Sequence, residues 1–340
     1  MIRLKDIAQH AGVSVMTVSK ALRDEPDISG RTKAKIRQLA DQFGYVPNTA
    51  ARSLRLRSTK FFGLVIPAIT NPIYARVVMA IEEQAHALGY EIILAHSLNN
   101  PEREEECIRR LLSRRVDGLF IHPVYRRETN ARIYDDLLRR GTPTVLLGHR
   151  AAFCSRFINV ETDDLNASKA VTRHLLELGH RRIACFAGQV FAPTAQERFE
   201  GYRRALREAA IEVEDKLMFN AGGTIEEGAK AALQMIDEGV RATAIQCVND
   251  LVAIGAATTF MQQGVRIPQD LSIVGFGNIL SAEHFRVPLT TVRQPKFRQG
   301  IAAMESMLKL LGGQPIESKR LPAEIIVRDS TGPAPKPDVK

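Results

Sequence analysis

The stretch AGVSVMTVSKAL, residues 11–22, puts apolar side chains where a short helix should meet water. Stepping 100° per residue from Ser14 places Val18, Ala21 and Leu22 on one face. Met16 falls opposite them, beside Ser19 and Lys20, and Val15 sits at the edge. Apolar residues on a wet face at the start of a helix suit the thymine C5-methyl, an apolar feature of the DNA major groove. Lys20, one turn on, suits guanine O6 and N7 or a phosphate. Ser14, Thr17 and Ser19 are short hydroxyls of the kind that hold phosphates, which fixes register rather than sequence.

The rest of the chain offers polar loops instead of a reaction centre. Loops following apolar strand candidates are AITNPIY (68–74), HPVY (122–125), HR (149–150), QVFAPTAQER (189–198), VND (248–250) and GFGN (275–278). Ligands bind at the C-terminal ends of parallel strands, so these loops, with His122, His149, Thr194 and Asn278 among their polar residues, are the candidate ligand surface. A lone histidine is ordinarily a hydrogen-bonding residue. No Walker motif, zinc spacing or G-x-S-x-G elbow occurs, and GFGNIL has Leu280 where a dinucleotide fingerprint needs Gly or Ala. These absences point away from an enzyme and from any cofactor or metal. The four cysteines, Cys107, Cys154, Cys185 and Cys247, form no C-x-x-C pair and read as buried thiols.

Short helices must position the first set. LKDIAQHA brings Leu4, Ile7, Ala8 and Ala11 to one face, Gly12 breaks it, and Ser14 caps the next helix. Ser29 caps a third over RTKAKIRQLADQFG, ended by Gly44. Two helices on a tight glycine turn, braced by a third, make an all-α helix-turn-helix domain over 1–46, whose second helix enters the major groove. YVPNTAARSLRLRSTK reads as a linker, 47–60. From Phe61 strands and helices alternate in two series, which predicts two α/β lobes with parallel sheets. The expected lobes are 61–160 with 292–320, and 161–291 with 321–328. PLTTVRQP and PAEIIVRD recross between them, and the Pro-rich tail 329–340 is expected to be disordered.

Charge separates the same two parts. The chain of 340 residues carries a formal net charge of +9, of which residues 1–60 hold +7. A basic head on a nearly neutral body calls for a polyanionic partner. No apolar run approaches the ~20 residues that span a bilayer, and MIRLKDIAQH is broken by Lys5, Asp6 and Gln9, unlike a signal peptide. The expectation is a cytoplasmic protein with no membrane partner, which also weighs against a secreted solute-binding protein.

LKDIAQHAGVSVMTVSKAL, GYVPNTAARSL and the two-lobed body together resemble the LacI/GalR family of transcriptional regulators up to about Arg328. The resemblance implies a periplasmic-binding-protein-like core and a repressor that binds a pseudo-palindromic operator as a homodimer. It implies that NTAARSL folds as a hinge helix, with Leu54 wedged into the minor groove, a kink costing roughly a few kcal/mol. Asn48, Arg52, Arg55 and Arg57 then lie against the backbone. It also implies that Arg198 and Asn249 grip a small effector, a sugar or sugar acid, with Tyr74 against it. A protein corepressor is the alternative partner. Two departures bear on the effector: Gly277 stands where many sugar-binding members have Asp, and Gly222-Gly223 where several have an aromatic. With Arg198, His122 and His149 retained, the expected cleft is positive, which suits an anionic ligand. Helix 73–88, through Val77, Val78 and Ile81, is the expected dimer face.

Overall fold

The computed structural model describes residues 2–45 and 58–336. Residues 1–59 and 60–340 form two separate compact units. In the first, α1 (Leu4–Ala11), α2 (Val15–Leu22) and α3 (Gly30–Gln42) close on a core of Ile7, Ala8, Ala11, Val18, Ala21, Ile36 and Ala40. Gly12 ends α1 at φ 70°, a left-handed position that only glycine occupies without cost. Ser14 Oγ then accepts Thr17 N at 3.0 Å, and Ser29 Oγ accepts Thr32 N at 3.2 Å, satisfying the free amides that begin α2 and α3.

The second unit holds two lobes. In chain order its elements are β1 (Phe61–Ile66), α4 (Pro72–Ala87), β2 (Glu91–His96), α5 (Pro101–Ser113), β3 (Gly118–Ile121), α6 (Arg132–Arg140), β4 (Thr144–Leu147) and β5 (Ile158–Thr162). There follow α7 (Asp164–Glu177), β6 (Ile183–Ala187), α8 (Pro193–Glu208), β7 (Met218–Asn220), α9 (Ile225–Asp237), β8 (Ala244–Cys247) and α10 (Asp250–Gln262). The last are β9 (Ser272–Gly277), α11 (Leu280–Glu283), β10 (Thr290–Arg293), α12 (Lys296–Leu311), β11 (Lys319–Leu321) and β12 (Glu324–Ile326). One sheet runs β11-β5-β4-β3-β1-β2 and the other β12-β10-β9-β8-β6-β7. All neighbours are parallel except β10 and β12. Strands such as Phe62–Ile66 and Ile273–Gly277 are buried throughout, because helices cover both faces. The chain passes between lobes at Asp163, at Gln294-Pro295 and at Pro322-Ala323.

Several expectations need correction. The whole of β10 belongs to the C-lobe sheet, so the second crossing falls after Arg293 rather than before Val292. β5, β7, β11, α7, α11 and α12 add to the strand and helix stretches that stand out in the sequence. The Pro-rich tail is ordered as far as it is described. Ser330 is buried and bonds Ile273 O at 2.6 Å and Thr290 N at 2.8 Å. Ala334 N reaches Leu178 O at 2.8 Å. Backbone pairing secures this segment, which its composition does not reveal. Val77 and Ile81 point into the N-lobe core rather than outward, because α4 packs that face on α12, where Gly300 lets the helices approach. Met79 is the exposed large apolar residue of α4.

In the C-lobe, α9 and α10 cross backbone to backbone. A Cβ on Gly228 would stand 2.3 Å from Val252 O, and one on Gly255 2.0 Å from Ile225 O. Gly255→Ala adds about 1 kcal/mol of helix preference but forces two helices apart. It should lower stability by about 1–3 kcal/mol net, read as a drop in the urea midpoint of the full chain.

Candidate functional site

On the head, Val15 is 44% and Met16 63% exposed, while Val18 behind them is fully buried. The helix therefore presents its first turn outward and is anchored by its second. Ser14 Oγ is engaged as the cap of α2 and lies 2.9 Å from Thr17 Oγ1. The Lys20 ammonium is bonded to Asp27, beyond the end of the helix. Ser19 is half-buried. Asn48, Arg52, Leu54, Arg55 and Arg57 lie outside the described residues.

Between the lobes, the N-lobe wall is aromatic. Pro72 and the Asn71 cap start α4 and so fix Tyr74 in its first turn. Its hydroxyl stands 3.5 Å from His122 Nε2, with the rings edge to face at 4.9 Å. Tyr125 flanks His122 and donates to His149 O at 3.0 Å. The loop bearing His122 and Tyr125 is tied down by the fully buried Glu104, which accepts Val124 N at 2.7 Å, Tyr134 Oη at 2.9 Å, and the Arg126 guanidinium. Within the run EREEE this residue reads as one more solvated acid.

The C-lobe wall centres on Arg198. Its guanidinium lies 3.8 Å over the Phe276 ring, donates to Val248 O at 2.6 Å and meets Asp164 Oδ2 at 3.0 Å. Asp164 is fully buried and also accepts Gln294 Nε2 at 3.1 Å. Asn249 caps α10 through Val252 N at 2.8 Å and donates to Gly223 O at 2.9 Å. Gly222 and Gly223 wrap the Glu227 carboxylate, which sits 2.2 Å from where a Gly222 Cβ would be. That close approach explains the glycines. Thr194 is half-buried in the first turn of α8. Asn278 is turned aside, its Oδ1 accepting Arg328 at 2.8 Å.

The cleft is therefore not the uncompensated cationic site expected. Arg198 has Asp164, and the place beside Gly277 is occupied by Asp250 Oδ2, 3.3 Å from a built Cβ. Asp250 accepts Thr291 Oγ1 at 2.5 Å and Ile279 N at 2.9 Å. Burial raises its carboxyl above the ordinary range, and these bonds oppose the rise. His149 Nε2 faces Glu197 Oε2 at 3.0 Å. Sequence reasoning missed Asp164, Asp250 and Lys296. Burial draws Lys296 down to about 8, with Asp164 resisting and Arg198 assisting. Among the described residues no hydrogen-bond partner meets Arg198 Nε, His122 Nδ1 or His149 Nδ1, so both walls carry buried polar atoms whose bonding is incomplete.

Burial, then the charge of Lys296, pushes His122 down to about 3. It is neutral at physiological pH and adds no positive charge to the cleft. Since its unfolded value is 6.5, the unfolded chain takes up a proton that the folded chain refuses. Stability is therefore lost as pH falls from about 6.5 toward 3. His122→Gln should flatten that loss, measured as urea midpoints at pH 7 and 5. His174 and His180, lowered mainly by burial, retain the remainder.

Residues 59–328 match periplasmic binding proteins and the sugar binding domain of the LacI family, and residues 3–48 match bacterial regulatory proteins of the lacI family. The HTH-type transcriptional repressor PurR of Photobacterium profundum is 32% identical over 97% of this chain and 98% of its own. The CelR-cellobiose complex is 27% identical, covering 97% of this chain and 100% of that one, at a TM-score of 0.74. A Lac repressor dimer bound to operator and the anti-inducer ONPF shares the fold at a TM-score of 0.86 and 24% identity, over 97% and 99% of the two chains. With its helix-turn-helix head and two-lobed parallel core, this chain belongs to the LacI family of DNA-binding transcriptional regulators.

Proposed function

We propose that this chain is a repressor that binds a pseudo-palindromic operator as a homodimer and is controlled by a small polar effector held between its lobes. The observation that carries the DNA half is the outward first turn of α2. Val15 and Met16 have no core to join, and their neighbours are short hydroxyls and a lysine. One such helix reads too few bases for useful specificity, so two heads on a two-fold site are required. Leu54, flanked by Arg52 and Arg55, is assigned the minor-groove wedge.

For the effector, the unpartnered Arg198 Nε favours a neutral ligand rich in hydroxyls, such as a sugar. Arg198 has its charge met by Asp164, so a full anion gains less there than an isolated arginine would offer. The family also includes a regulator solved with cellobiose. A sugar acid is the second reading, and the observation favouring it is Lys296, an enclosed cation on the opposite wall whose hydrogen bond is to Gln299 at 3.3 Å.

Two measurements test these readings. Met16→Gln should change the base preferred at one half-site position toward adenine, by about 1–3 kcal/mol, in a randomised-site selection, with nonspecific affinity unchanged. An unaltered motif would remove Met16 from base reading. Paired titration of neutral sugars and their aldonic or uronic acids, followed by thermal shift, should favour a neutral sugar. Tighter binding of the acid, weakening as pH rises through about 8, would select the second reading instead.

A further inference from the structure

Beside the hinge, charged side chains from both lobes converge on Glu197, the neighbour of Arg198 on α8. From the N-lobe edge strand β11, Arg320 sends Nη1 to Glu197 Oε1 at 2.9 Å and Nη2 to Glu197 Oε2 at 2.7 Å. The same guanidinium bonds Glu161 Oε1 and Asp163 Oδ1, each at 2.9 Å. His149 adds its Nε2 at 3.0 Å from Glu197, and Asn159 steadies Glu161 at 2.7 Å. His149, Glu161 and Glu197 offer donor atoms within 4.8 Å of one another, the spacing a cation requires. The cation filling that role is the arginine itself, shared among three carboxylates.

A second contact across the boundary is apolar. Ile73, at the start of α4 in the N-lobe, packs against the C-lobe core. Its Cδ1 lies 3.2 Å from where a Cβ on Gly277 would stand. A side chain at 277 would press on this residue. Gly277, at φ 140°, keeps the approach open.

We propose that Arg320 is a positioning residue for the cleft: by clasping Glu197 across the lobe boundary it holds the lobes together before a ligand arrives and fixes where α8 presents Arg198. The clasp matters to control because a ligand meets lobes that are already drawn together, so less of its binding energy is consumed in closing them. This consequence rests on the reading of the cleft as an effector site. The clasp itself does not. Partly exposed ion pairs are screened by salt, so the clasp should weaken at high ionic strength while the Ile73 contact persists.

The test is the interlobe distance in the full chain without ligand. Spin labels at Glu128→Cys and Val190→Cys occupy exposed positions on the two lobes, and the four native cysteines are buried. At low salt the labels should give one dominant short distance. Arg320→Met should shift the closed-to-open ratio by about threefold to tenfold toward open. Glu197→Gln should do the same, and both variants should keep the wild-type circular dichroism. Arg320→Lys should recover part of the closed fraction, since it restores charge without the two-pronged fit. High salt should open the wild type toward Arg320→Met and leave that variant unmoved, which a purely structural role would not produce. Identical distances in wild type and Arg320→Met at low salt would overturn the proposal. Failure of the effector reading would appear separately, as no sugar or sugar acid binding in the titration with these distances intact.

Discussion

The core depends on one buried carboxylate. Asp164 is fully buried where the chain first leaves the N-lobe, and it is tied to Arg198 from α8 and to Gln294 from the second crossing. An ionised carboxylate removed from water costs several kcal/mol unless its lone pairs are met. These partners must therefore arrive together, and their arrival determines where α7, α8 and the second crossing meet. Ser168 and Thr172, one and two turns further along α7, continue this polar seam to Arg198 O and Gln246. Gly201 admits the close passage of α8, where a Cβ would lie 2.3 Å from Leu165 O. Recognition groups and hinge are thus one construction.

That construction is also why parts of the molecule were hard to read from sequence. The head was legible because its signals are local: a glycine at positive φ, serine caps, and an apolar stripe on the period of a helix. The long apolar strands were legible for the same reason. Helix α7 was not, because its inward face at 164, 168 and 172 is polar and cancels the period expected of a buried helix. β5, with Glu161 in it, failed the same test. The outward face assigned to α4 was wrong because a helix held against both sheet and α12 buries residues that a single amphipathic stripe would leave free.

Charge was read well at long range and poorly at short range. The excess concentrated in residues 1–60 needed only counting. The sign of the cleft did not follow from the missing acid at 277, since Asp164 and Asp250 supply carboxylates from elements far away in the chain. Histidines at strand ends were counted toward a positive cleft, yet enclosure keeps His122 neutral. What decides a group's charge in a crevice is its three-dimensional neighbours, and those are set by topology.

The order of the strands along the chain bears on how the molecule is made. The N-lobe sheet is finished by β11 and the C-lobe sheet by β12, and Ser330 then seals β9 to β10. All three contributions follow the other strands of both sheets in chain order. The helical head, with its own core, can fold as soon as it emerges. Each lobe must wait with an open edge until β11, β12 and Ser330 have been made. A nascent chain thus passes through a stage in which a formed helix-turn-helix head precedes any finished lobe, and chaperone protection is needed most for the sheet edges beside β5 and β10.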